Sequence, residues 1–196
     1  RTYRRSSSSG GSSGGSSGSS SGGSGGGSPG GPVSGTSGSA AVGPAAAGPA
    51  GGVTGEWTLD PAFGVWRFQS AGRLYRNEWA YICNPYANTA AGQPAADWFR
   101  FDAEGHMVTG WYTDTDGNLY YLWPQSDGSQ GHMLTGWHWL PGPDGMRRRY
   151  YFNEISDGTR GRLYRDGTAP DGSRVDADGA WTVDGVVQVM SPDVKG

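Results

Sequence analysis

Seven residues, GHMVTGW at 105–111, return as GHMLTGW at 131–137 with six of the seven unchanged. From Trp111 to Trp137 the step is 26 residues. Each copy runs Gly-Trp, a polar turn, an aromatic pair, a second turn, then Gly-x-Met-x-Thr-Gly. A period of this length marks one supersecondary unit copied in tandem. So short a unit cannot cover its own apolar face, and it becomes stable only when the next copy does so. Stacking is therefore the constraint that any fold of this chain must meet.

The unit reads as a β-hairpin. Asp-Gly pairs fall at 116–117, 127–128, 144–145, 157–158, 166–167, 171–172 and 178–179, with Glu104-Gly105 in an equivalent place. Such pairs favour tight turns that need positive φ. Between them lie WFRFD at 98–102, LYYLW at 119–123 and RYYFN at 149–153. Aromatic and β-branched residues of this kind suit a pleated surface, and no segment keeps a helical period long enough to compete. The expected fold is all-β, a solenoid of stacked hairpins. The glycine of Met-x-Thr-Gly lets the chain turn into the following tryptophan, and the methionine fills space between stacked rings.

The first 53 residues have another character. They hold 18 of the 37 glycines and most of the serines, so they bury too little apolar surface to offset the entropy of ordering. They are expected to form a disordered linker, 1–53, with a root-mean-square reach of roughly 40 Å. The repeat domain is expected over 54–190, followed by a tail at 191–196. The arm carries Arg1, Arg4 and Arg5 and no acid, which leaves 15 − 3 = 12 basic against 18 acidic residues beyond it. A net charge of about −6 there argues against nucleic acid as the main partner. Arg147 to Arg149 form too small a cluster to neutralise a row of phosphates, and they read as a salt-bridged turn. No stretch is long enough to cross a membrane. The chain opens on Arg without the apolar run of a secretion signal, as a mature or truncated product would. Its one cysteine, Cys83, reads as a packed thiol beside Ile82.

Several motif matches fail their context tests. GSSGG at 11–15 fits Gly-x-Ser-x-Gly, and GGGSPG at 25–30 fits Gly-x-Gly-x-x-Gly, but both lie in the arm with no strand before or helix after. DTDGN at 114–118 has its glycine two places early for a calcium loop, with Gln125 where the bidentate Glu belongs, so it reads as a hairpin turn. His106 and His132 occupy one slot of successive copies and His138 follows Trp137, which implies repeated packing rather than a triad or a metal site. Asp176 and Asp178 sit in turns. No catalytic constellation, metal site or cofactor is expected.

The Gly-Trp, Tyr-Tyr and Gly-x-Met-x-Thr-Gly elements resemble the choline-binding and glucan-binding repeats of bacterial surface proteins. The resemblance covers about 55–190. GVWRFQSAGRLYRNEWAYI looks like an irregular first repeat, and DGTAPDGSRVDADGAWTV is similar to the closing hairpin. It implies a module that attaches an enzyme or adhesin to the cell envelope, with choline on teichoic acid or an α-glucan as ligand. A quaternary ammonium has no hydrogen-bond donor and is held by the faces of two or three aromatic rings. Each contact contributes about 0.5–2 kcal/mol, so one cage reaches about millimolar affinity and several gain by avidity.

Carried over position by position, the resemblance implies a site of Trp79 and Trp98 with Tyr120 or Tyr121, closed by Met107 or Met133. The following junctions would use Trp111 and Trp137 with Tyr150 and Tyr151. There the strand tryptophan is replaced by Leu119, which offers no quadrupole, and by Arg149, a cation that satisfies the rings itself. Residues 84–97, NPYANTAAGQPAAD, stand where the family has a short turn and read as a flexible, neutral surface insertion, with recognition as the alternative. The expected protein is a non-catalytic, secreted or surface-displayed module that binds a cell-envelope polymer without entering a membrane. A spacer with degenerate sites and the C-terminal fragment of a cell-wall hydrolase are the alternatives.

Overall fold

The computed structural model describes Pro44 and residues 51–192, all within the unit Gly38–Gly196. Most of the linker expected over 1–53, and the end of the expected tail from 193 onward, lie outside the described residues.

The described residues form an all-β solenoid of stacked hairpins. The first hairpin pairs β1 (Glu56–Asp60) with β2 (Val65–Ser70), and β3 (Arg73–Leu74) adds to its edge. The second pairs β4 (Glu78–Cys83) with β5 (Ala96–Phe101), the third β6 (Gly110–Thr113) with β7 (Leu119–Leu122), and the fourth β8 (Gly136–Pro141) with β9 (Arg147–Phe152). The closing sheet runs β10 (Gly167–Thr168), β11 (Arg174–Val175), β12 (Trp181–Val183), β13 (Val186–Val187), while β14 (Val189–Met190) returns to the outer edge of β9. The one helical element described is a 3-10 turn at Thr89–Ala91, and no helix there is long and apolar enough to cross a membrane.

The repeat period reappears as hydrogen bonding. Met107, Met133 and Leu163 occupy one slot, and each bridges the last residue of the strand before it, Phe101, Leu122 and Phe152. Their amides then reach back one hairpin further, to the carbonyls of Trp66 (2.7 Å), Trp98 (2.9 Å) and Leu119 (2.8 Å). Each copy is thus tied to its predecessor by backbone as well as by side chains.

The turn chemistry holds with one exception. Gly117, Gly128, Gly145, Gly158, Gly172 and Gly179 all take positive φ after their aspartates, as Gly105 does after Glu104. At 166–167 it is Asp166 that adopts φ 49°, and Gly167 begins β10. Asp tolerates the left-handed region better than most residues, so here the turn closes one position early. In DTDGN, Asp114 accepts the amides of Asp116 (3.0 Å) and Asn118 (2.8 Å), which accounts for that motif as a turn. Arg148 pairs with Asp144 at 2.6 Å and holds its carboxyl down at about 2, the salt-bridged turn expected of the arginine cluster.

The core is divided along the chain into three clusters. Phe68, Phe99, Phe101 and Met107 centre the first, Trp79, Trp98, Tyr120 and Met133 the second, and Tyr121, Leu140, Phe152 and Leu163 the third. Each lies where one hairpin covers the next, and each fully buried ring contributes about 1.5–3 kcal/mol. Val53, at the end of the expected arm, bridges Ile82 in parallel and bonds to Tyr81 and Cys83 through its backbone.

Candidate functional site

The second core cluster is where the expected cage falls. Trp79 and Trp98 lie on paired strands, two positions apart in register, so both project from one face of the hairpin. Tyr120 comes from the next hairpin, its ring 4.9 Å from that of Trp79. Met133 completes the group. Of the alternative partners, Tyr121 follows Tyr120 in the same strand and so faces the opposite way, into the third cluster. Met107 belongs to the first cluster.

Within the group the rings divide into wall and surface. Tyr120 is fully buried and Trp79 nearly so, and burial raises the Tyr120 hydroxyl above its ordinary pKa. Tyr120 donates weakly to Asp114 (3.4 Å) and accepts from Arg162 Nε (3.3 Å), so the phenol is held from both sides. Trp98 is as buried as Trp79, yet it also lines a groove of about 610 Å³, together with Tyr81 and Met133. Tyr81 is opposite Trp98 in the β4–β5 register, and their ring centroids are 5.5 Å apart at 52°. Asp97, His132, His138 and Arg160 stand at the same groove. Asp97 faces His132 at 3.3 Å, while His138 donates from Nε2 to the Thr135 carbonyl (2.8 Å), and its burial holds its pKa below the usual value. Tyr81 was missed in the sequence, although its signal was there: it lies two residues beyond Trp79, on the same face of the same strand.

The later junctions are built differently. Trp111 is 42% exposed, and its ring stands near-perpendicular to those of Tyr121 (5.1 Å, 85°) and Tyr150 (5.2 Å, 81°). Leu119 packs against the third cluster. At the fourth hairpin Trp137 meets Tyr151 at 5.2 Å, and the Arg149 guanidinium lies 4.8 Å from the Trp137 ring and 5.4 Å from that of Trp181. Tyr151 donates to Glu154 (2.8 Å), and burial together with that bond pushes its hydroxyl up to about 12. His106 and His132 both stand beside carboxylates, Asp102 and Asp97, from the same slot of successive repeats.

No family model and no curated protein matches the chain. Among solved structures, the choline-binding domain of Spr1274 from Streptococcus pneumoniae is 31% identical, over 46% of this chain and 90% of that one, with a TM-score of 0.33. That identity extends across nearly all of that choline-binding domain. The chain belongs to the choline-binding repeat family. Two larger members are similar at 23% identity. Choline-binding protein F from Streptococcus pneumoniae, solved in the presence of a peptidoglycan analogue, matches over 67% of this chain and 47% of its own with a TM-score of 0.35. The pneumococcal cell-wall endolysin from phage Cp-1, complexed with choline, matches over 59% and 26% with a TM-score of 0.40. The chain thus spans under half of either.

As a choline-binding repeat chain, this one departs from its own period at one loop, residues 84–95 between β4 and β5. It lies against 123–132, the turn between β7 and Met133 that recurs at 153–162 before Leu163. The loop, expected to be flexible and neutral, is pinned by hydrogen bonds to that turn: Asn84 Nδ2 donates to the Gly128 carbonyl (2.7 Å), and Gln93 Nε2 to that of Asp127 (3.3 Å). Loops separated in sequence by a whole hairpin are brought together only by the stacking, so no local signal marked the contact.

Proposed function

We propose that this chain is a non-catalytic module that attaches its protein to a cell-envelope polymer at the bacterial surface, and that its ligand is a quaternary ammonium such as choline on teichoic acid. The observation that carries the reading is the groove in which the Trp98 and Tyr81 rings and Met133 stand beside the Asp97 carboxylate. A trimethylammonium group neither donates nor accepts hydrogen bonds. It is held by ring faces, and a carboxylate nearby lowers the cost of bringing the charge out of water. Membership of the choline-binding repeat family supports the same ligand class. A site of this size binds at about millimolar strength, useful on a polymer that presents many copies of the ligand.

A spacer role is the second reading. It is favoured by Arg149, which already fills the ring faces of Trp137 and Trp181 with the protein's own cation.

Tryptophan fluorescence of the full chain, titrated with choline and separately with a soluble α-glucan, tests the proposal against a Trp98→Ala variant of verified fold. A saturable millimolar choline response that Trp98→Ala abolishes is expected. A response to glucan alone, lost in the same variant, would reassign the groove to carbohydrate. Silence to both would leave the spacer as the account of the chain.

A further inference from the structure

The chain enters the solenoid on the strand that carries the groove. The second hairpin is a sheet of β4 and β5 alone, and the free edge of β4 is taken by Val53, which bridges Ile82 in parallel. The Val53 amide donates to the Tyr81 carbonyl (2.8 Å), and the Val53 carbonyl accepts from the Cys83 amide (2.9 Å). The Val53 side chain packs against the first core cluster. Gly51 lines the groove beside Tyr81 and Ala96. Three consecutive residues ahead of β1, belonging to no copy of the repeat, thus reach a core, a strand edge and the groove.

Gly52 lets them lie so close. Its φ is +76°, and a Cβ there would come within 2.6 Å of the Cys83 nitrogen, 2.8 Å of the Ile82 carbonyl carbon and 2.9 Å of the Ala96 Cβ. Two of those atoms are backbone and cannot swing aside, so glycine is required by space as well as by conformation. Gly145, in the β8–β9 turn, has φ +78° with nothing within 4 Å of its missing Cβ. There the conformation serves a turn, whereas at Gly52 it serves a contact.

That contact bears on the groove through Tyr81. The Tyr81 carbonyl is held by Val53, and its ring stands 5.5 Å from that of Trp98 across the β4–β5 register. Two-stranded ribbons twist more than wider sheets, and a change of twist between β4 and β5 moves the two rings relative to each other. A third backbone along β4 restrains that twist.

We infer that Gly51, Gly52 and Val53 form a latch that couples the entry of the chain to the ligand groove, with Gly52 as its positioning residue. This rests on the groove being the quaternary-ammonium site proposed above: the closed latch holds the Tyr81 and Trp98 rings in their binding arrangement, and opening it weakens the ligand. Coupling between two sites is reciprocal, so a ligand in the groove holds the latch closed by the same factor. Residues 1–50 precede the latch, and a pull on them is borne at β4 before it reaches the β1–β2 hairpin. The ligand then grips the strand to which the preceding chain is fastened, and binding strengthens the fastening.

In ¹H–¹⁵N spectra of the full chain the Val53 amide reports the latch and the Trp98 indole reports the groove. Saturating choline is expected to slow hydrogen exchange of the wild-type Val53 amide about fivefold relative to the amides of β11 and β12. Gly52→Ala should weaken choline binding at Trp98 by the same factor, about fivefold. Gly145→Ala meets the same conformational strain away from β4, so it should lower Tm and leave the affinity unchanged. Val53 exchange that ignores bound choline, an unchanged affinity in Gly52→Ala, or an equal loss of affinity in both variants would each overturn the inference. The exchange measurement needs no substitution, so it decides even where Gly52→Ala fails to fold. A wild-type Trp98 indole that ignores choline would overturn the reading of the groove and the coupling with it, whereas choline binding with unchanged Val53 exchange would overturn the coupling alone.

Discussion

At the scale of single residues, Arg149 is the substitution with the largest consequence. It stands in the slot that Trp98 fills in the second hairpin, and its guanidinium lies over both Trp137 and Trp181. Trp137 is held in turn by its Nε1 donating to Asp171 (2.8 Å). The pair of indoles is thus a cation cage already occupied from within, by contacts worth about 0.5–2 kcal/mol each. Replacing Arg149→Ala should vacate it. In the variant, millimolar choline is expected to shift the Trp137 and Trp181 indole protons in NMR spectra, which it should not do in the wild type. Unchanged spectra would mean that the two rings collapse onto each other. The arginine and its clash with an external cation were legible in the sequence. Trp181 as the second ring was not, because it comes from the closing hairpin and reaches Arg149 only through stacking.

At the scale of the element, the repeat works as an interlock. Gly131 adopts φ +85°, and a Cβ there would come within 2.2 Å of the Met107 sulfur; Gly161 stands in the same relation to Met133. One copy's methionine fills the space that the next copy's glycine leaves open. Gly131→Ala therefore meets two penalties, roughly 1–2 kcal/mol for a left-handed alanine and a further cost for displacing the methionine. Met107→Ala alone should cost about 2–5 kcal/mol. The double variant should be less destabilised than the sum of the two, because the truncated side chain no longer opposes the new methyl. Urea unfolding of the four proteins measures the coupling, and strict additivity would show that the two positions do not share the space. The sequence displayed the glycine and the methionine at fixed spacing, but not that they touch across a repeat boundary.

At the scale of the whole molecule, three separate clusters replace a single core. Stability is then a sum of hairpins and their junctions, as in other repeat proteins. Phe68→Ala empties the first cluster, at about 3–5 kcal/mol. It should speed hydrogen exchange of the β1, β2 and β4 amides while those of β8 and β9 stay protected. Uniform loss of protection along the chain would instead show one cooperative unit. The same division lets the junctions differ: the second has Trp98 and Tyr81 beside a groove, and the fourth fills its rings with arginine.

What the sequence by itself determined is what depends on a few neighbouring residues. The 26-residue period, the hairpins, the turns and the identity of the methionine slot follow from local φ preferences, side-chain alternation and aspartate caps, all of which act within one copy. The tertiary structure decided which rings face solvent, which cation fills which cage, and where two loops meet. Exposure and contact across a junction depend on residues a full repeat away, and a pattern read within one copy carries no information about them.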